Sequence, residues 1–155
     1  MAADRGWYEA LTYLREKTPK DAVVMSWWDY GYWILDLAKR RPVVDNGFYG
    51  KAKEKLQDIG QAYCTQDPDE IAQIMEKYGA DYFIFSALER DIYTAIAEAA
   101  FSKKQDISST KLLIVEDPLY IHFLWGDIDE KGPLKVVYRN PEVVILKRQA
   151  VKTPS

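Results

Sequence analysis

The sequence has little of the chemistry on which most catalytic or metal-binding domains depend. Cys64 is the only cysteine and His122 the only histidine among 155 residues. An intramolecular disulfide and a cysteine-based metal cluster are therefore excluded. The motifs of serine hydrolases, phosphate-binding loops and zinc proteases are also missing. We expect Cys64 to be a buried, inert thiol and His122 to be a structural histidine.

Long apolar runs and an excess of positive charge are absent as well. No stretch of 18 or more apolar residues occurs, so no transmembrane helix is predicted, and no apolar segment of a signal peptide follows Asp4 and Arg5. The formal net charge of −3 does not favour nucleic-acid binding. A hydrophobic content of 48% with 14% aromatic residues predicts a folded globule with a large core. We expect residues 1–155 to form a single soluble domain.

Helix and strand signals alternate along the chain. This alternation predicts an α/β fold in which a layered mixed sheet, with parallel neighbours, is flanked by helices and ends in a C-terminal β-hairpin. The predicted strands are 22–25, 42–44, 81–85, 134–138 and 143–146. The predicted helices are 5–17, 51–63, 89–101, 119–125 and one that opens with Asp67 as its N-cap and Pro68 in its first turn. Residues 126–132 are predicted to form a polar turn.

Two polar segments each allow a functional and a structural interpretation. The basic run at residues 39–41 could bind an anion such as a lipid phosphate, but a solvated helix end is the more common explanation. The loop at residues 45–50 contains an Asp-Asn-Gly turn signal and two aromatic residues. It could line a binding groove or be a plain turn.

The most unusual stretch is Trp27-Trp28-Asp29, which follows a predicted buried strand. Two indole N–H groups are donors and an ionised aspartate is an acceptor, and all three need partners when they are buried. Together they match a hydroxyl group, which has two lone pairs and one proton. The residues therefore suggest a pocket for a serine or threonine side chain. The alternative is structural: Ser26-x-x-Asp29 also resembles a capping box that opens a helix, with both tryptophans in the core.

Residues 27–31, Trp-Trp-Asp-Tyr-Gly, resemble the motif of the same five residues in the catalytic subunit of oligosaccharyltransferase. The family comprises archaeal AglB, bacterial PglB and their eukaryotic counterpart, and the flanking segments 18–26 and 32–34 look like the archaeal pattern. The resemblance covers residues 7 to 50 well and the rest loosely. It implies the C-terminal globular domain of a short archaeal-type enzyme, in which Trp27, Trp28 and Asp29 read the hydroxy residue of an Asn-X-Ser/Thr acceptor and Tyr30 and Gly31 support them.

The family's second recognition motif is only partly matched. Its archaeal form has an aspartate and, three residues further on, a lysine. Asp91 could be that aspartate, but Thr94 stands in place of the lysine. Ile92 and Ile96 could contact the methyl group of an acceptor threonine or could equally belong to the core.

The resemblance also implies properties of a longer protein. The full enzyme transfers a lipid-linked oligosaccharide to asparagine, lies in the cell membrane with this domain on the extracytoplasmic face, and needs Mn²⁺ or Mg²⁺ held by acidic residues of its membrane region. On that reading the isolated domain binds the acceptor polypeptide and is not catalytic. A function of another class is a carbohydrate- or peptide-binding module that uses Trp27, Trp28 and Trp33 as a stacking platform.

Overall fold

A six-stranded mixed sheet forms the centre of the fold. A computed structural model describes residues 4–44, 52–101 and 117–150. The strands are β1 Val23–Met25, β2 Arg41–Pro42, β3 Tyr82–Ser86, β4 Glu130–Lys131, β5 Leu134–Arg139 and β6 Val143–Arg148. They are arranged in the order β2-β1-β3-β6-β5-β4. β1 pairs in parallel with β2 and β3, and the remaining pairs are antiparallel. The predicted mixed sheet and C-terminal hairpin are confirmed.

Helices flank this sheet at positions close to those that the sequence predicts. They are α1 Arg5–Lys17, α2 Gly31–Asp36, α3 Ala52–Cys64, α4 Pro68–Lys77, α5 Leu88–Asp91, α6 Tyr93–Ala100 and α7 Leu119–Trp125. α4 begins as predicted, because the side chain of Asp67 accepts a hydrogen bond from the Asp69 amide and Pro68 occupies the first turn. Within the described residues, no helix is both long and apolar enough to cross a bilayer.

The core is centred on β3, whose five residues are all buried. Tyr63 of α3 packs edge to face against Phe83 and Tyr120, with ring centroids 5.1 and 5.2 Å apart. Phe83 and Phe85 are 5.0 Å apart in the same arrangement. Such aromatic contacts stabilise a core by about 0.5–1.5 kcal/mol each beyond the burial of apolar area. They fix α3 and α7 against the central strand.

Three of the predicted element bounds are wrong. The helix expected over 89–101 is interrupted at Ile92, where the backbone leaves helical values at φ −112° and ψ 16°, so that α5 and α6 are separate. The strand expected over 42–44 pairs with β1 only at Arg41–Pro42. The turn expected over 126–132 includes β4, which pairs with β5. The loop at 45–50 lies outside the described residues.

Arg40 corrects the interpretation of residues 39–41 as a solvated helix end. Its side chain is buried, and its guanidinium donates hydrogen bonds to the Thr18 hydroxyl at 3.0 Å and to the carbonyl oxygens of Arg15 and Thr18 at 2.9 and 2.7 Å. Two further bonds reach the carbonyl oxygens of Ala38 and Lys39. Arg40 therefore joins the end of α1 to the connection between α2 and β2.

Candidate functional site

The C-terminal ends of β1 and β3 lie side by side at one edge of the sheet. The register pairs Val24 with Tyr82 and Met25 with Phe83 in parallel. The segments that leave these two strands, towards Trp27 and towards Ser86, therefore emerge at the same edge. Ligands bind at this edge in open α/β sheets, particularly where connections diverge. The helix after β3 therefore begins beside the Trp-Trp-Asp segment.

Trp27, Trp28 and Asp29 occupy the transition from a strand to a helix. β1 ends at Met25, Trp27 has an extended backbone, and a 3₁₀ turn over Trp28–Tyr30 leads into α2. Trp27 is 5% exposed and packs edge to face on Tyr63, with ring centroids 6.3 Å apart. Trp28 is half-buried and packs against the core. Asp29 is exposed. That all three side chains bind one guest hydroxyl stays a prediction.

The carboxyl of Asp29 is weakly solvated although it lies at the surface. Its partial desolvation raises the pKa above the ordinary value of an aspartate. A carboxylate with reduced hydration gains more from a hydrogen-bond donor than one in bulk water does, because less of its water must be displaced. Asp29 is therefore the accessible acceptor of the segment.

Tyr30 anchors the same segment in the core. Its ring is buried and stacks on Trp7 with centroids 4.2 Å apart. Burial raises the pKa of Tyr30 most, and the charge of Glu89 raises it further. Gly31 is buried with ordinary helical dihedrals, and its amide closes the 3₁₀ turn on the Trp28 carbonyl. That Tyr30 and Gly31 support the acceptor site stays a prediction.

The capping box predicted at Ser26-x-x-Asp29 is not formed. The Ser26 hydroxyl donates to the carbonyl oxygen of Trp27 at 2.9 Å, and no side chain caps the 3₁₀ turn. The aspartate is one methylene shorter than the glutamate that usually reaches back to the first amide. Asp29 consequently remains exposed instead of capping its own turn.

A capping box does form at the end of the neighbouring strand, between Ser86 and Glu89. The Ser86 amide donates to both carboxyl oxygens of Glu89 at 3.0 Å, and the Leu88 amide donates to the Ser86 hydroxyl at 3.2 Å. Sequence reasoning missed this site, although Ser-x-x-Glu directly after a buried strand is the expected signature. Glu89 is 0% exposed. It is the most deeply buried acid at this edge among the described residues.

Glu89 holds a small polar cluster inside the core. The Ser86 hydroxyl donates to its Oε2 at 2.5 Å and the Tyr63 hydroxyl donates to its Oε1 at 3.0 Å. Burial raises the pKa of Glu89 to about 7, although the hydrogen bonds from Ser86 and Tyr63 act in the opposite direction. Burial raises the pKa of Tyr120 most, and the charge of Glu89 raises it further. The hydrogen bonds of Glu89 thus connect β3, α3 and α5.

Residues of the tentative second motif lie just beyond this cluster. Asp91 is exposed at the end of α5. Ile92 is half-buried between α5 and α6 and packs against the core, while Ile96 is fully buried. Ile96 is therefore a core residue, and a contact between Ile92 and an acceptor stays a prediction.

The tryptophans do not form an exposed stacking platform. Trp27 is buried, and Trp28 and Trp33 are half-buried against the core. Trp33 also packs edge to face against Trp7 with centroids 5.4 Å apart. A carbohydrate-binding platform needs accessible ring faces, so this arrangement disfavours the alternative function.

The single cysteine, Cys64, and the single histidine, His122, both have surroundings typical of structural residues. Burial raises the pKa of the Cys64 thiol, which reduces its reactivity. His122 is held between the carboxylates of Asp127 and Asp117, each 2.6 Å from a ring nitrogen. Across residues 4–44, 52–101 and 117–150, no group of three or more acidic, histidine or cysteine side chains is placed to hold a metal ion.

The fold is that of the C-terminal domain of oligosaccharyltransferases. The structure superposes on the C-terminal globular domain of the enzyme from Archaeoglobus fulgidus with a TM-score of 0.71 at 22% identity, covering 96% of this chain and all of that one. The C-terminal domain of PglB from C. jejuni gives a TM-score of 0.68 at 11% identity, covering 93% of this chain and all of that one. These identities establish the shared fold.

Sequence comparison identifies the family. The AglB core domain matches residues 7–89, more than half of the chain, and the chain belongs to that family. It is 37% identical over 76 residues to subunit STT3B of the dolichyl-diphosphooligosaccharide–protein glycosyltransferase of rice, covering 49% of this chain. It is 52% identical over 44 residues to a dolichyl-phosphooligosaccharide–protein glycotransferase of Pyrococcus furiosus, covering 27% of this chain. These matches span only 10% and 5% of the two relatives.

Larger structures from Archaeoglobus fulgidus contain the same fold together with bound molecules. One oligosaccharyltransferase is tethered to an acceptor peptide with an NVT sequon, at a TM-score of 0.54 and 18% identity, covering 99% of this chain and 19% of that one. A second structure holds an inhibitory peptide and a dolichol-phosphate; its TM-score is 0.59 at 21% identity, covering 71% of this chain and 16% of that one. A third structure contains Zn and sulfate; its TM-score is 0.58 at 21% identity, covering 71% of this chain and 17% of that one.

Proposed function

We propose that this chain is the acceptor-recognition domain of a membrane oligosaccharyltransferase, which transfers a lipid-linked oligosaccharide to the asparagine of an Asn-X-Ser/Thr sequence. On this proposal the chain follows a membrane-spanning region and faces the extracytoplasmic side. The lipid-linked donor and the Mn²⁺ or Mg²⁺ ion are bound by that region on the same proposal. Family membership and the peptide- and dolichol-phosphate-bound relatives support it.

The observation that carries the proposal is the position of Asp29. It is an exposed, weakly solvated carboxylate at the carboxyl edge of two parallel strands, directly after two tryptophans that are anchored in the core. In the proposed complex the indoles of Trp27 and Trp28 donate to the acceptor hydroxyl oxygen, and Asp29 accepts its proton. The domain thereby holds the acceptor while the chemical step takes place elsewhere.

The specificity of such a site comes from groups left without partners. A valine in place of threonine would fill the space but strand the donors and the carboxylate. Sites built to bind a hydroxyl reject an analogue that lacks it by up to ~10⁴ to 10⁵ in rate. This mechanism requires no catalytic group in the chain itself.

The test is Asp29→Ala in the full-length enzyme, assayed by transfer to a synthetic peptide that contains Asn-Val-Thr. We expect the variant to fold but to lose transfer, because the hydroxyl of the acceptor threonine no longer has a carboxylate to which it can donate a hydrogen bond. Asp36→Ala is the matched control, since Asp36 is an exposed acid at the far end of α2. Normal transfer by Asp29→Ala would contradict the proposed pocket.

A second measurement concerns the acceptor methyl group. If Ile92 contacts that methyl, threonine peptides should be better substrates than serine peptides, and Ile92→Ala should reduce the difference. Equal use of both peptides by the unmodified enzyme would argue against this contact.

A further inference from the structure

Glu89 is a buried carboxyl that the proposed function does not use directly. It is 0% exposed, so an acceptor peptide cannot reach it. Burying a carboxyl is unfavourable unless its oxygens are hydrogen-bonded. Here Oε1 accepts from Tyr63, Oε2 accepts from the Ser86 hydroxyl, and both accept from the Ser86 amide.

One partner of Glu89 reaches the Trp-Trp-Asp segment. Tyr63 on α3 donates to Glu89 and carries Trp27 on its ring, at 6.3 Å between centroids. Tyr30, immediately after Asp29, lies near this carboxyl: burial raises the pKa of Tyr30 most, and the charge of Glu89 raises it further. Trp27 is thus held by contacts that lead to the Glu89 carboxyl, and Tyr30, on the other side of Trp28-Asp29, lies near it.

We propose that Glu89 is a positioning residue for the acceptor site: its carboxyl fixes Tyr63, and Tyr63 in turn holds Trp27, and with it Trp28 and Asp29, in the binding arrangement. The inference rests on the proposed function for its consequence in acceptor binding. The coupling between Glu89 and the tryptophans rests on the contacts alone.

Two substitutions test whether the hydrogen bonds that Glu89 accepts are what holds the segment in place. Glu89→Ala removes both acceptor oxygens and leaves the Tyr63 hydroxyl and the Ser86 amide without a partner in the core. Glu89→Gln keeps the size of the side chain, one acceptor oxygen for those donors, and an amide N–H that can donate to the Ser86 hydroxyl. We therefore expect the alanine variant to disturb the segment and the glutamine variant to restore it.

The first readout needs no ligand. The 155-residue chain is labelled with 5-fluorotryptophan, and its five tryptophans are assigned in ¹⁹F NMR spectra by single replacements with phenylalanine. We expect Glu89→Ala to shift or broaden the resonances of Trp27 and Trp28. Glu89→Gln should return the two resonances close to their original positions.

The second readout is the acceptor kinetics of the full-length enzyme with the Asn-Val-Thr peptide. Glu89→Ala should raise KM by about tenfold or more, because the donors left unpaired let the segment rearrange. Its kcat should change far less, and Glu89→Gln should recover most of the loss. Arg40→Lys is the matched control: it loses buried hydrogen bonds at the opposite edge of the sheet, so it should lower stability without changing KM.

The outcomes distinguish this inference from the proposed function. Unchanged Trp27 and Trp28 resonances in Glu89→Ala would overturn the positioning role, whatever the kinetics show. The same is true if Arg40→Lys raises KM as much, since the effect would then reflect stability alone. Shifted resonances with an unchanged KM would leave the coupling in place and overturn the proposal that these tryptophans read the acceptor.

Discussion

The buried carboxyl of Glu89 should make the stability of the chain fall as the pH rises. Burial raises its pKa from 4.5 to about 7, against the opposing hydrogen bonds from Ser86 and Tyr63. Between these two values the folded chain holds a proton that the unfolded chain has released. Because the folded state binds more protons, the free energy of unfolding decreases with pH. The contribution is fully present below about pH 4.5 and is lost as the pH rises through about 7.

The size of the effect follows from the pKa. At about 1.4 kcal/mol per pKa unit, a rise from 4.5 to about 7 corresponds to about 3 kcal/mol. Roughly 2–3 kcal/mol of this is lost between pH 5 and pH 8. Domains of this size have a total stability of about 5–15 kcal/mol, so the change is large enough for ordinary urea unfolding to measure.

The assay compares the unmodified chain with Glu89→Gln in urea at pH 5 and at pH 8. Glutamine stays neutral, so the variant lacks this part of the pH dependence. His122, whose pKa is raised, is present in both proteins, so its contribution cancels in the difference between them. We expect the unmodified chain to lose roughly 2–3 kcal/mol more than the variant. Identical pH dependence of the two proteins would refute the reasoning.

Two further predictions concern packing and the single histidine. A Cβ at Gly60 would lie 2.8 Å from the Ile96 carbonyl oxygen. Gly60→Ala should therefore force α3 and α6 apart and lower the free energy of unfolding, measured in urea, by about 1–3 kcal/mol. Unchanged stability would contradict this close approach. Contacts with Asp127, and less strongly Asp117, raise the pKa of His122. At pH values below about 6.5 the imidazolium donates to both acids, so His122→Gln should lower the melting temperature there. The difference from the unmodified chain should disappear as the pH rises through the raised pKa of His122. A difference that does not depend on pH would contradict this prediction.

Local signals predicted the elements whose structure depends on neighbouring residues. α1 spans the predicted residues 5–17 because its apolar stripe and the following Pro19 are both encoded locally. α4 begins at the Asp67-Pro68 cap for the same reason. The hairpin of β5 and β6 is likewise present, closed at Asn140, whose side-chain oxygen accepts from the Glu142 and Val143 amides.

The features that the sequence did not predict depend on distant partners. Arg40 belongs to a run of basic residues that usually lies in solvent, and its main partners, Arg15 and Thr18, are more than twenty residues away. A periodic pattern does not show such a contact. Glu89 differs: its Ser-x-x-Glu signature with Ser86 is local and was overlooked, and only its hydrogen bond from Tyr63 depends on another helix.

The Trp-Trp-Asp segment depends both on local sequence signals and on contacts with distant residues. Residue chemistry and family resemblance identified Trp27, Trp28 and Asp29, and the strand-to-helix transition was expected. The different exposure of the three side chains was not, because it depends on Tyr63 and on the packing of Tyr30 against Trp7. Only the fold shows that the first tryptophan is anchored while the acid is accessible.

The proposed selectivity for a hydroxyl explains why such anchoring would matter. A pocket rejects a valine only if its donors and its carboxylate cannot move to find other partners. If Trp27 were loosely held, its indole N–H could rotate and donate to water, and the site would no longer discriminate against a peptide that has valine in place of threonine. Glu89 occupies the position from which this movement can be prevented, since it accepts a hydrogen bond from Tyr63, whose ring packs against Trp27. A rigid, buried support beneath an accessible acid is thus the physical requirement that this domain would have to meet in order to discriminate acceptors.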